Sequence, residues 1–147
     1  MTEQPPPALE QIATITIDSG QLLLIDPCYI DSRWTHREFE DIRPYRNKHT
    51  GKVLTYPQDF TNYEQVIPEY GTTMNALNAT GEWEPVAQPL PAGLNYHVCS
   101  MTTLQAQRGG AVDLGAAVST GQGDGRYPVY VKRDADGRIT QVLIDFQ

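Results

Sequence analysis

The chain has only two cysteines and three histidines in 147 residues. It contains no Cys-x-x-Cys and no His-x-x-x-His spacing, so no zinc motif is legible. Asp26, Cys28, His97, Cys99 and Asp124 could share a metal only if the fold brought them together. The simplest reading of Cys28 and Cys99 is two reduced, buried thiols. No apolar run approaches the roughly 20 residues that a membrane span needs. The opening "MTEQPPPALEQ" lacks both a basic n-region and an apolar h-region, so a cytoplasmic protein is expected. Positive charge is scarce as well. Eleven Lys and Arg face eighteen Asp and Glu, a formal charge of −7. That balance excludes general nucleic-acid binding, which needs a basic surface to neutralise phosphates.

What is present reads as a mainly β protein. Residues 1–10 suggest a flexible proline-rich arm, and residues 11–147 a single β-rich domain with 39% hydrophobic residues across the chain. Ala13, Ile15 and Ile17 alternate with Thr14, Thr16 and Asp18. Residues 21–25 form a second apolar run, so a hairpin turning at Asp18-Ser19-Gly20 is expected. "GKVLTYP" is a short strand ended by Pro57, and "LNYHVCSMT" and "VDLGAAVST" read as two more. "RYPVYVKRDADGRITQVLIDF" is a hairpin turning at residues 134–137, with Tyr127, Val129 and Val131 on one face. Pro128 belongs at an edge or a bulge, because it has no N–H for a ladder. Tyr127 and Tyr130 then point to opposite faces, one into the core. The single helix expected lies near Met74 and Leu77, capped by Thr72 and stopped by Gly81. The sum is a small single-domain β-sandwich or barrel of about seven strands with one short helix.

Three stretches carry the chemistry. Arg33, Arg37, Arg43, Arg46, Lys48 and Lys52 fall within residues 31–51 and just after, a long loop with one helical turn expected at residues 34–40. Such a loop is either a solvated face of mixed charge or a holder for a small anion. "STGQGDGRYPVY" has glycines at 121, 123 and 125, which fails the dinucleotide spacing and precedes a strand rather than a helix. Its glycines either serve a tight turn or let free N–H groups cradle an anion. "DPCY" sets a carboxylate, a thiol and a phenol at a strand end. The larger share of that reading is a turn in which Asp26 accepts backbone N–H groups and Cys28 is buried.

"DSGQLLLIDPCYI" and "GAAVSTGQGDGRYPVYVKRDADGRITQVLIDF" together resemble a group of small bacterial and phage-encoded proteins without a known activity. The resemblance implies that Asp18, Gln21, Asp26, Cys28, Tyr29, Asp124, Tyr127 and Tyr130 sit in family motifs. Phage accessory proteins include some that sequester or degrade host nucleotide signals, an analogy that favours ligand binding. The expected ligand is therefore a small polar or anionic molecule of nucleotide origin, bound without chemistry. Asp26, Cys28, Tyr29, Gly121, Gly123, Asp124, Gly125, Arg126 and Tyr127 are the residues expected to bind it. No cofactor is specified by any motif. A hydrolase or lyase using Cys28 or Asp26, and a protein-interaction module, are the alternatives, with a homo-oligomer left open.

Overall fold

Alternation at the start of the chain does produce a strand, β1 (Glu10–Ile17), followed by β2 (Gln21–Leu24). The computed structural model describes residues 8–147, so most of the expected arm lies outside the described residues, and Glu10 already belongs to β1. The hairpin expected at residues 18–20 does not form. β1 pairs instead with β10 (Gly125–Arg133), and β2 pairs with β9 (Gly115–Ser119). Ile17 lies opposite Gly125, and Gln21 lies opposite Ser119. β1 and β2 thus run along one side of a long antiparallel ribbon, and β10 and β9 along the other. Both sides bend at the same corner, where residues 18–20 face residues 120–124.

The ribbon feeds two three-stranded sheets. In the first, the order is β1-β10-β11, with β11 at Ile139–Ile144. The expected C-terminal hairpin is present, and Asp134 closes its turn by accepting the N–H groups of Asp136 and Arg138. Tyr127, Val129 and Val131 are buried on one face, as their alternation requires, while Tyr130 is half-buried on the other. Pro128 lies within the middle strand but at the end of one ladder. Its carbonyl accepts from the Asp145 N–H, one residue beyond β11, and in an antiparallel strand its nitrogen points the same way. The missing N–H therefore falls where β11 has run out.

In the second sheet the order is β2-β9-β8, with β8 at Gly109–Val112. Against it packs a helix where a strand is expected. "YHVCSMTT" forms an α-helix (Tyr96–Thr103) capped by the Asn95 side chain, which accepts the Val98 N–H. His97, Val98, Cys99, Ser100, Met101 and Thr102 are all buried. A helix buried all round has no solvent face, so its sequence shows no helical stripe and its chance alternation imitates a strand. Leu94, Val98, Cys99, Val112 and Ala117 form the apolar cluster between helix and sheet.

The middle of the chain builds its own core. Two more helices join the one above, so they are numbered in chain order: α1 (Ile30–Arg33), α2 (Met74–Ala79) and α3 (Tyr96–Thr103). The helical turn near residue 34 thus comes slightly earlier than expected. α2 occupies its expected place, but Thr73 rather than Thr72 caps it, accepting the Ala76 N–H. Short strands β3 (Tyr45–Asn47), β4 (Val53–Leu54) and β7 (Trp83–Pro85) form one small sheet, and β5 (Val66–Ile67) and β6 (Thr72–Thr73) another. Tyr45, Leu54, Phe60, Met74, Leu77 and Trp83 bury their side chains together. The protein is mainly β, and its described residues form eleven strands in four small sheets rather than about seven. They include three α-helices rather than one and close no barrel.

Candidate functional site

The segment leading into β3 carries a compact polar cluster. Arg43 donates through Nε to Asp41 Oδ1 at 2.9 Å and through Nη2 to Asp41 Oδ2 at 2.7 Å. Both side chains are mostly buried. The Tyr63 hydroxyl donates to the Asp41 carbonyl, and the Tyr45 hydroxyl reaches Asp41 Oδ2. Burial alone would raise the Asp41 carboxyl, but the bonds and charge of Arg43 outweigh it and hold it below the ordinary 3.8. Burial pushes the Tyr63 phenol far up, so it stays a hydrogen-bond donor. The Arg43 guanidinium is therefore fixed in direction by groups anchored in the middle core.

Across from Arg43 lies the turn that follows α3. Gln105 Nε2 donates to the Met101 carbonyl, and the Arg108 N–H donates to the Gln105 carbonyl. Arg108 adopts φ +56°, a left-handed conformation that costs a non-glycine residue about 1–2 kcal/mol. The Arg108 carbonyl accepts from the Ser119 N–H, which ties the turn to the end of β9. Between these segments opens a cleft with two adjoining lobes. One, of about 220 Å³, is walled by Pro85, Val86, Ala87, Leu104 and Ala106, with Arg43 at its edge. The other, of about 280 Å³, carries Arg43, Thr103, Gln105 and Arg108. The cleft thus lies where the middle core meets α3, and it combines two arginines with an apolar wall.

The sequence-predicted residues fall into two groups that do not meet. Asp26, Cys28 and Tyr29 follow β2, whereas Gly121, Gly123, Asp124, Gly125, Arg126 and Tyr127 follow β9. Because β2 and β9 are antiparallel, the groups leave the ladder at opposite ends, about 10 Å of strand apart. In the first group Asp26 Oδ1 accepts the Cys28 N–H at 3.0 Å, as the turn reading requires. Cys28 itself is exposed rather than buried, while Cys99 is buried as expected. The hydrogen bond with Asp26 pushes the Cys28 thiol up, away from the thiolate a nucleophile needs.

In the second group two of the loop amides are already engaged. The Gly123 N–H donates to Thr120 Oγ1 at 2.9 Å, and the Gly123 carbonyl accepts from both Thr120 Oγ1 and the Tyr127 hydroxyl at 2.8 Å. The Gly121 N–H faces Ser119 Oγ. Gly121 and Gly123 have φ +74° and +85°, which only glycine adopts without strain. The loop is a tight turn that needs glycine. Gln21, a family-motif residue, donates from Nε2 to Ser100 Oγ at 2.9 Å and ties β2 to α3.

Four members of the basic stretch have partners: Arg33 bonds Asp113, Arg43 Asp41, Lys48 the Gly81 carbonyl and Lys52 Glu69, and of these Arg43 also lines the cleft. Arg108, Thr103 and Gln105 were not legible as site residues. A lone arginine before Gly109-Gly110 carries no motif, and its partner across the cleft is 65 residues away (108 − 43 = 65). Among the described residues no group of three or more His, Cys, Asp and Glu could hold a metal ion. No helix there is long and apolar enough to cross a membrane.

A mainly β chain with a small cleft defines a class rather than an activity. Residues 16–144 match the family described as a protein of unknown function, DUF4241, and the chain belongs to that family. No curated protein and no solved structure matches it.

Proposed function

We propose that this chain is a non-enzymatic accessory domain of the cytoplasm, of the kind phage genomes carry, that binds a small nucleotide-derived anion in the cleft between Arg43 and Arg108. One observation carries the reading: two arginines from separate segments line one polar lobe of about 280 Å³. Arginine grips phosphate or carboxylate through paired N–H donors, and Asp41 holds Arg43 in a fixed orientation for that task. Each lobe lies just under the roughly 300–1,000 Å³ of pockets that enclose drug-sized ligands, so a compact ligand fits. Arg108 also keeps a conformation that glycine would relax, and such strain collects at functional sites. In the glycine loop, by contrast, the Gly121 and Gly123 N–H groups already face hydroxyl partners.

The test is native mass spectrometry of the wild type and of Arg108→Gly after incubation with a mixed nucleotide and cyclic-nucleotide pool. A retained adduct that falls at least about tenfold in the variant supports the reading. No adduct, or an equal adduct on both proteins, overturns it. A pool altered in composition without an adduct replaces binding with turnover, and Cys28→Ser then tests the thiol.

A further inference from the structure

We infer that the cleft selects an organic monoanion bearing a compact, non-planar apolar group over a dianion such as a phosphate monoester. This rests on the binding reading above and narrows it. Arg43 contributes one positive charge to the cleft, but Asp41 lies within 2.7 Å of its guanidinium and cancels it. Arg108 then supplies the balance, a net of +1 (Arg43 +1, Asp41 −1, Arg108 +1). A monoanion neutralises that charge. A dianion would leave one negative charge uncompensated beside Asp41, in a chain already at −7.

Shape supplies the second half. The two lobes share Arg43, Leu104, Gln105 and Ala106, so an anion held at Arg43 sits on their boundary. On one side it meets Arg108 and Thr103. On the other it meets Pro85, Val86 and Ala87, a wall with no further cation and no aromatic ring. Without a stacking surface that wall suits a saturated group, such as the sugar ring of a nucleotide-derived anion, and leaves a flat base outside it. A carboxylate with a branched aliphatic tail and a phosphodiester within a ring both satisfy the two lobes. Inorganic phosphate satisfies only one.

The experiment is isothermal titration at pH 8 with four probes: inorganic phosphate, a nucleoside 5′-monophosphate, the corresponding 3′,5′-cyclic monophosphate, and cyclohexanecarboxylate. At that pH the first two are largely dianions and the last two are monoanions. The monoanions should bind at least about tenfold more tightly than the 5′-monophosphate, and which of them binds better identifies the anion type. Ala87→Trp, which fills the apolar lobe only, should weaken both monoanions about tenfold while leaving inorganic phosphate within twofold. Asp41→Asn raises the local charge by one and should move the preference toward the 5′-monophosphate. Equal or tighter binding of the 5′-monophosphate by the wild type overturns the inference and leaves the binding reading intact. An Ala87→Trp protein that binds all probes as the wild type does overturns the apolar subsite. If no probe binds, the binding reading itself is overturned, and this inference with it.

Discussion

The Thr120 N–H donates to the Gly20 carbonyl across 3.0 Å, joining two motifs a hundred residues apart (120 − 20 = 100). At this corner the chain passes from one sheet to the other twice, first through Asp18-Ser19-Gly20 and later through residues 120–124. An added Cβ on Gly20 would stand 3.6 Å from the Gly123 Cα, so the two turns pack backbone to backbone. The "DSGQ" and "STGQGDG" motifs are two sides of one bend, and their joint presence has a structural reason independent of any ligand.

That reason is measurable. Thr120 is 5% exposed, and its hydroxyl both accepts from and donates to Gly123. Thr120→Val should cost about 1–3 kcal/mol in urea unfolding, because it strands a Gly123 N–H in the corner. Gly123→Ala should cost about 1–2 kcal/mol, since φ +85° excludes a Cβ at no strain. Both folded variants should keep the ligand. Full stability with lost binding would make the loop a binding element instead.

Arg108 should show the opposite balance. Arg108→Gly relaxes a left-handed residue, so it should leave stability unchanged or raise it by up to about 1 kcal/mol. The same change removes one of the two guanidinium groups and should abolish binding. Denaturant midpoints and ligand titration on one sample read both effects.

The two cysteines should react differently with a disulfide reagent. Cys28 is exposed and should be modified in the native protein, whereas Cys99 should react only on unfolding. Asp26 holds the Cys28 thiol above its ordinary range, so Asp26→Asn should speed its modification at pH 7. Cys28→Ser should leave ligand binding and unfolding unchanged.

These residues also mark how far the sequence could be read. The β10–β11 hairpin was legible because Tyr127, Val129 and Val131 alternate toward one core and Asp134 closes a local turn. β1 and β2 were legible as strands, but their partners were not. Pairing of Ile17 with Gly125 is non-local, and nothing in residues 18–20 distinguishes a hairpin from a bend. α3 was misread because burial on every side erases its stripe, although Asn95 three residues before Val98 offered a cap signal. The cleft was legible only through Arg43, since Gln105 and Arg108 reach it by a turn without pattern.

His97 gives the pH dependence its sign. It is 2% exposed on α3, and its Nδ1 accepts the Glu40 N–H. Burial first, and then the charge of Arg37, hold its pKa below the usual 6.5, with Glu40 opposing in part. The folded state thus favours neutral His97, and the unfolded chain takes up the proton first. This stability is fully present above about pH 6.5 and is lost as pH falls through the lower folded value. Urea midpoints between pH 7.5 and pH 5.5 should fall for the wild type and fall less for His97→Gln.

The central claim is that the cleft, and neither motif group, holds the ligand. The most direct measurement is a nuclear magnetic resonance titration that follows arginine Nε–H and backbone amide signals as a 3′,5′-cyclic nucleotide is added. Shifts concentrated at Arg43, Gln105 and Arg108, with residues 26–29 and 121–126 unmoved, are the predicted result. Shifts at residues 121–126 or 26–29 with the two arginines unmoved would contradict it.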